Sequence, residues 1–275
     1  MGRSKPGSDL VLFRGGGELA SGAIRRLFIA GFRVVVLERE NPICVRRTVS
    51  FANAVYEGSW EVEGIKAKRV TSIEEVEELL RKDIIPVLID EEGGSIQRLK
   101  PGILVDARMA KRNLGTSVEQ ADVVIALGPG FRVPEDAHYI IETCRGHDLG
   151  RVIRYGSAKK DTGIPGEIMG KSAERVLRAP IAGRFFPLKD IGDIVFRGEE
   201  VAKIGSVQVY TGIDGVIRGL LKGGLEVRKG QKVGDVDPRG DREYIHRISD
   251  KANAVAGGVM EAVFTGLKML NSKVN

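Results

Sequence analysis

Residues 181–204 and 213–236 carry one pattern twice, offset by 32 positions and without a gap. Ile181 falls on Ile213, Gly183 on Gly215, Gly192 on Gly224 and Val195 on Val227. The match continues with Gly198 on Gly230, Val201 on Val233 and Ile204 on Val236. Each copy is a short strand, a turn, then a V-x-x-G-x-x-V-x-x-I/V segment. A unit of about 25 residues cannot bury its own apolar face, so the two copies must pack on each other as a small β structure. Helical periodicity is sparse throughout residues 179–238, and glycines recur at turn spacing.

This pattern resembles the barrel-sandwich hybrid of biotinyl and lipoyl carrier domains, where two such halves pair about a pseudo-twofold axis. In a carrier, the hairpin joining the halves presents the modified lysine. Here that stretch reads Gly205-Ser206-Val207-Gln208-Val209, and Lys203 lies earlier, within VAKI. The expectation is the carrier fold with no covalent biotin or lipoate.

The first half has a different texture. Apolar, β-rich runs at 10–13, 32–38, 84–90, 103–106, 123–127 and 151–155 alternate with helical spacing at 19–30 and 72–82. The second of these helices carries Ser72 as N-cap and Glu75 to complete a capping box. Residues 54–70 alternate with period two around Glu63-Gly64, which predicts a hairpin. Continuous Val/Ile runs between helices argue for a largely parallel sheet covered on both faces. The fold expected is therefore α/β: a Rossmann-like domain over 1–175, a barrel-sandwich-hybrid-like β domain over 176–245, and a C-terminal helix over 246–275 packing back on the α/β domain. In that tail, Val255, Val259, Val263 and Leu267 line one face of 249–269, while Gly257-Gly258 works against an unbroken helix.

Composition narrows the function classes. No apolar run in the 275 residues approaches the roughly 18–20 that a membrane span needs. The opening MGRSKPGSDLVLF has four apolar residues in a row, too few for a secretory signal. The two cysteines, Cys44 and Cys144, stand in unrelated contexts and form neither a disulfide framework nor a metal-ligand spacing, so a cytoplasmic protein is expected. The formal charge of +6 is spread among acidic neighbours, and aromatics are 5% of the chain. Nucleic-acid binders that stack bases want the opposite arrangement, so no nucleic-acid partner is expected.

The stretch VLFRGGGELASG brings strand, glycines and helix together. Gly15, Gly17 and Ala20 fit G-x-G-x-x-A, the alanine form of the dinucleotide fingerprint, in the strand–turn–helix context it requires. Unpaired N–H groups at such a helix start attract phosphate. Glu38 ends the next strand, 21 residues after Gly17, where a carboxylate accepts from a ribose hydroxyl. Glu18 sets a negative charge beside the same spot, and a turn of this shape that binds nothing is the competing reading. Gly128 and Gly130 form a second glycine turn after a strand, either a wall of the same crevice or a plain loop. Arg46 and Arg47 are either anion ligands or solvated cations. His147 beside Asp148 is the best acid–base pair among three histidines, against the plainer reading of a surface turn.

Taken in order, RGGGELASGAIRRL, RRTVSFANAVYEG, LVDARM, ALGPGF, ETCRGHDLGRVIRYG, RVLRAPIAG, GVIRGLL, GDVDPRG and SDKANAVAGGVMEA resemble the YqeB family, accessory proteins associated with selenium-dependent molybdenum hydroxylase systems. The resemblance runs from Val11 to about Leu267. Its glycine turn falls on Gly15, Gly17, Ser21 and Gly22; other blocks fall on Arg46, Arg47, Gly128, Gly130, Arg145, His147, Asp148, Asp237, Pro238 and Arg239. Cys44 stands where the family commonly has alanine, and Cys144 is local variation, which argues against a cysteine mechanism. The resemblance implies a maturation factor whose partners are the hydroxylase or its maturation factors. The implied ligand is nucleotide-like, either NAD(P) or a molybdenum cofactor dinucleotide. An NAD(P)-dependent oxidoreductase and a non-catalytic structural adaptor are the alternatives, and a homo-oligomer is compatible with each.

Overall fold

The computed structural model describes residues 9–163 and 165–272. Its elements, in chain order, begin with β1 (Leu10–Arg14), α1 (Glu18–Ile29), β2 (Arg33–Glu38), α2 (Ala54–Glu57), β3 (Ser59–Val62) and β4 (Ile65–Val70). Next come α3 (Ile73–Leu80), β5 (Ile85–Ile89), α4 (Ile96–Leu99), β6 (Ile103–Asp106), β7 (Val123–Leu127), β8 (Tyr139–Ile141) and β9 (Val152–Ile153). The rest are β10 (Val176–Arg178), β11 (Gly183–Pro187), β12 (Ile194–Val195), β13 (Glu200–Ile204), β14 (Val207–Tyr210), β15 (Gly215–Leu220), β16 (Glu226–Val227), β17 (Lys232–Asp237) and α5 (Asp250–Ser272).

Contacts divide these residues into two compact units. The first holds the described residues up to Pro42, Phe51–Asp161, and those from Ile248 onward; the second holds Ile43–Ser50 and Thr162–Arg247. Sequence texture alone places the boundaries at 175/176 and 245/246 and does not set residues 43–50 apart. Of the opening stretch 1–13 on which the secretory-signal expectation rests, residues 1–8 lie outside the described residues.

The first unit is built on a nine-stranded sheet in the order β3-β4-β5-β2-β1-β6-β7-β8-β9. Strands β4 to β8 pair in parallel, while β3 and β9 close the edges antiparallel. The chain passes from β1 to β2, goes out to the β3–β4 edge hairpin, comes back to place β5 between β4 and β2, then adds β6, β7 and β8 on the other side of β1. The two faces share the alternation of the strands. Leu12, Val35, Leu37, Leu88, Leu104 and Val124 pack with Val76 and Leu79 of α3 on one side. Helix α3 begins at Ser72 with the predicted capping box, both reciprocal hydrogen bonds being made.

On the other face α5 runs alongside α1. A Cβ on Gly22 would sit 2.8 Å from the Ala252 carbonyl oxygen, Arg26 donates to Asn253 at 3.3 Å, and the Phe32 and Phe264 rings lie 6.1 Å apart. Helix α5 is unbroken through Gly257-Gly258. Gly258 is required by approach rather than flexibility, because a Cβ there would strike the carbonyl oxygen of Gly150. Gly266 makes the same allowance for Val123 of β7. The propensity penalty of two helical glycines is thus offset by backbone packing that only glycine permits.

The second unit consists of two four-stranded sheets, β10-β17-β15-β12 and β14-β13-β11-β16. The sequence repeat maps onto it strand for strand: β11, β12 and β13 correspond to β15, β16 and β17. The middle strands are exchanged. β12 of the first copy pairs with β15 of the second, and β16 of the second pairs with β11 of the first. Matched glycines have matched conformations, φ +99° and +89° at Gly192 and Gly224, and +84° and +80° at Gly198 and Gly230. Matched apolar positions Val201/Val233 and Ile204/Val236 are all fully buried. Lys203 lies within β13 beside Glu200, and the tip Gly205-Ser206 joins β13 to β14.

Candidate functional site

The point where the strand order doubles back is the edge between β1 and β6, and in open α/β sheets ligands lie beyond the carboxyl ends of strands at such a point. The glycine turn sits there. Gly15 has φ +96°, donates its N–H to the Leu37 carbonyl at 2.8 Å, and leaves 3.1 Å between a would-be Cβ and the Arg108 Cα after β6. No L-residue fits that position without strain. Gly16 is backed by Ala52, whose N–H donates to the Gly16 carbonyl at 2.9 Å. Gly17 is different: among the described residues nothing lies within 4 Å of its would-be Cβ, and as N-cap of α1 it offers no side-chain cap. The first N–H groups of α1 therefore have no side-chain acceptor from the cap.

Ala20, Ser21 and Gly22 are buried and shape the turn from behind. The Ser21 hydroxyl donates to the Gly16 carbonyl at 3.2 Å and accepts from the Phe51 N–H at 3.0 Å. Glu38 also serves the turn: its two oxygens accept from the Gly16 and Arg39 N–H groups, each at 2.9 Å. Burial pushes its pKa above the ordinary carboxylate range despite those amide donors. Asn53, one residue beyond Ala52, is 1% exposed and has neither amide atom hydrogen-bonded among the described residues.

Gly128 and Gly130 wall the same edge of the sheet. A Cβ on Gly128 (φ +72°) would meet the Thr143 hydroxyl at 2.6 Å, and one on Gly130 (φ +109°) would strike the backbone of Arg112. Close approach of neighbouring loops accounts for both glycines. Arg46 and Arg47 belong to the second unit instead. Arg46 donates to the carbonyls of Tyr244 and Arg247 at 2.9 and 3.0 Å, and Arg47 donates to the Leu220 carbonyl at 2.8 Å. The Asp237 carboxylate is gripped by Arg239 at 2.6 Å. His147 is exposed, and Asp148 spends its carboxylate on Lys159 at 2.6 Å and Arg151 at 3.4 Å rather than on the histidine. The hydrogen bond from Lys159 holds Asp148 below its usual pKa. Cys144 is half-buried with its N–H on Glu142, and Cys44 is buried in the second unit.

Two groups escape sequence reasoning. Arg14, 2% exposed at the end of β1, donates to the Thr116 hydroxyl and the Glu92 carbonyl, each at 3.0 Å. Thr116 donates in turn to Asp106, which Arg108 also grips at 2.6 Å. This network ties together the loops after β5 and β6; the arginine closing the buried run LVLFR is its visible sign. The second group is Lys251 with Arg145. Arg145 forms a two-pronged ion pair with Asp250 at 2.8 and 3.1 Å, whose hydrogen bonds raise its pKa. Lys251, next in the chain, is half-buried, and desolvation followed by the nearby Arg145 lowers its pKa. Its sequence context, SDKAN, reads only as a helix start.

Among the described residues no cluster of three His, Cys, Asp or Glu could hold a metal, and no helix is long and apolar enough to cross a membrane. The fold and site together define a mixed α/β protein with a large parallel-rich sheet, antiparallel sheets and a C-terminal helix. No protein-family model matches the chain. It is 47% identical over 257 residues to YqeB of Escherichia coli (strain K12), itself uncharacterized, and this identity supports a YqeB-family assignment. The match covers 94% of this chain and 48% of the relative, so the chain spans about half the length of the curated relative it matches.

Similarity to solved structures is low. A succinylglutamate desuccinylase/aspartoacylase from Rhodobacter sphaeroides matches with TM-score 0.22 at 26% identity, over 24% of this chain and 22% of that one. The product-bound ectoine utilization protein EutE (DoeB) of Ruegeria pomeroyi matches with TM-score 0.23 at 10% identity, over 82% and 56%. Neither likeness carries an argument about this chain.

Proposed function

We propose that this protein is an accessory factor in the maturation of a selenium-dependent molybdenum hydroxylase, holding a nucleotide-like or phosphate-bearing ligand at the turn Gly15–Gly17. The family resemblance supplies the partner; the site supplies the ligand class. The observation that carries the ligand is Gly17, open above and uncapped, at the start of a twelve-residue helix where the strand order doubles back. A phosphate there meets backbone N–H groups and the positive end of the α1 dipole. In this reading the first unit is Rossmann-like and the second a barrel-sandwich hybrid without a carrier lysine. The ligand is a dinucleotide, either a molybdenum cofactor dinucleotide or NAD(P).

Hydride transfer is the second reading, favoured by Glu38 at the end of β2. Against it stands the geometry of His147, whose neighbour Asp148 is committed to two cations. A structural adaptor is what remains if the turn is empty. Thermal-shift titration with NAD(H), NADP(H) and other nucleotides, beside co-purification with the hydroxylase, separates the three. Gly17→Asp, whose backbone (φ −68°) tolerates a side chain, should fill the phosphate position and abolish any nucleotide shift. If no nucleotide stabilises the wild-type chain and no hydroxylase complex forms, the proposal fails.

A further inference from the structure

The two copies of the repeat in the second unit agree in backbone and differ in what they show to water. Leu188 of the first copy is 50% exposed, while its counterpart Leu220 is fully buried. Residues 43–50 make that difference. The Val45 carbonyl accepts from the Leu220 N–H at 2.8 Å, Arg47 donates to the Leu220 carbonyl, and Val45 crowds the position a side chain on Gly219 would need. Elsewhere the second copy uses charge: Glu226 and Arg228 stand where the first copy has exposed Ile194 and Phe196, the latter 67% exposed. The second copy covers or charges each of these positions. The first leaves them apolar and open to water.

The open positions form one surface. Phe186 and Leu188 alternate onto one side of the chain at β11, and Ile194 and Phe196 are likewise two apart at β12. Lys189 joins the two stretches. Its ammonium meets the Glu199 carboxylate at 2.5 Å, and that carboxylate also accepts from the Phe196 N–H at 2.9 Å. Glu200, next in the chain, pairs with Lys203 and stands opposite exposed Tyr210 between β13 and β14. The three half-exposed rings present roughly 300 Å², taking about 200 Å² per ring. Apolar patches of that size on a protein surface are commonly sites of association.

Two observations choose the occupant. The Leu188 N–H is already given to the Val201 carbonyl at 2.9 Å, so a strap laid here finds no donor of the kind that Leu220 offers Val45. The occupant packs on side chains instead. The rim also holds both signs, Lys189 and Lys203 beside Glu199 and Glu200, so a second copy turned about a two-fold axis sets lysines against glutamates. We propose that this face of the first copy pairs with the same face of a second chain in an isologous dimer. The patch falls short of the roughly 800 Å² per partner of a standard interface, so the dimer is weak, with Kd in the micromolar range. It does not depend on what the glycine turn binds.

Sedimentation velocity of the full chain from about 0.1 to about 100 μM should show a monomer–dimer equilibrium. Ile194→Glu with Phe196→Arg installs the side chains that the second copy carries at those positions, so the fold should keep its melting temperature. Its dimer affinity should fall about tenfold or more. Lys189→Glu and Glu199→Lys should each weaken self-association about threefold. Their equimolar mixture should form a mixed dimer at least as tight as the wild-type one, because two glutamates then face two lysines. Only contact between two copies produces that rescue, and it is read even if the double variant misfolds. A chain monomeric throughout the range overturns the inference, whether or not another protein takes the face. So does unchanged affinity in a folded Ile194→Glu/Phe196→Arg variant, or the absence of any preference for the mixed dimer.

Discussion

Glu38 in the first unit and Asp235 in the second are both carboxylates largely removed from water, yet their surroundings drive them in opposite directions. Glu38 is met by two backbone amides, and burial prevails, raising its pKa. Burial is also the largest influence on Asp235. There, Lys232, Arg218, Arg175 and Arg46 together outweigh it and hold the carboxyl far below its ordinary range. Arg218 reaches Asp235 at 2.6 Å and Arg175 at 2.9 Å, the latter with only 6% of its side chain exposed. The contrast teaches that burial alone does not set the cost of a charge. Amide dipoles shape a turn while leaving the carboxylate ready to take a proton; full countercharges turn it into a rivet.

Breaking the rivet should have the largest effect. Asp235→Ala removes the carboxylate from Arg175 and leaves Arg218 only its longer pair with Asp237 at 3.6 Å, and chemical denaturation should register a loss of about 3–5 kcal/mol. A loss below about 1 kcal/mol would mean that the arginines are held by carbonyl acceptors instead. The same comparison predicts opposite pH limbs. With the folded-state pKa of Asp235 lowered, its stabilisation is complete above about pH 4 and disappears as pH falls through the folded value. With that of Glu38 raised, its favourable contribution is present below about pH 4 and is lost as pH rises through the folded value. Melting temperatures measured from pH 2 to 8 should therefore show a flatter acid limb in Asp235→Asn. Glu38→Gln should instead flatten the fall above pH 4.

Glycines extend the comparison at smaller cost. Gly15→Ala forces a positive φ against the backbone of Ala107 and Arg108 and should destabilise the first unit by about 2 kcal/mol. On the proposed reading, the nucleotide-induced thermal shift should vanish with it. In the second unit, Gly198→Ala and Gly230→Ala meet nothing within 4 Å among the described residues, so the left-handed backbone is what resists them. Each should cost about 1 kcal/mol, and the two losses should agree. Unequal losses would show that the copies have diverged in energy while keeping their geometry.

Local features were legible where local chemistry decides them. The capping box of α3, the Glu63-Gly64 turn and the glycine turn each follow from a few neighbouring residues, while the hairpin expected over 54–70 begins only at Ser59 because Ala54–Glu57 form α2. The repeat announced two matched β copies in the second unit because its turns demand glycine at fixed positions; that each copy carries three strands was not spelled out by it. The exchange of β12 and β16 was not legible, since strand pairing between copies leaves no mark on either copy alone. Arg46 and Arg47 read either as anion ligands or as solvated cations, because a sequence displays charge without displaying the carbonyls of Tyr244, Arg247 and Leu220 to which they donate. Lys251 leaves no mark in the sequence for the converse reason: only the packing of Gly22 against Ala252 brings the start of α5 beside α1.

The exchanged strands have one more consequence. Each copy is incomplete by itself, missing one strand that its twin supplies, so the halves are related as two hands in a clasp rather than as two beads on a string. Cutting the chain between them need not separate them, and a single copy would present a vacant strand position shaped to receive another of its own kind. The second unit thus preserves, within one chain, the form of a symmetric dimer.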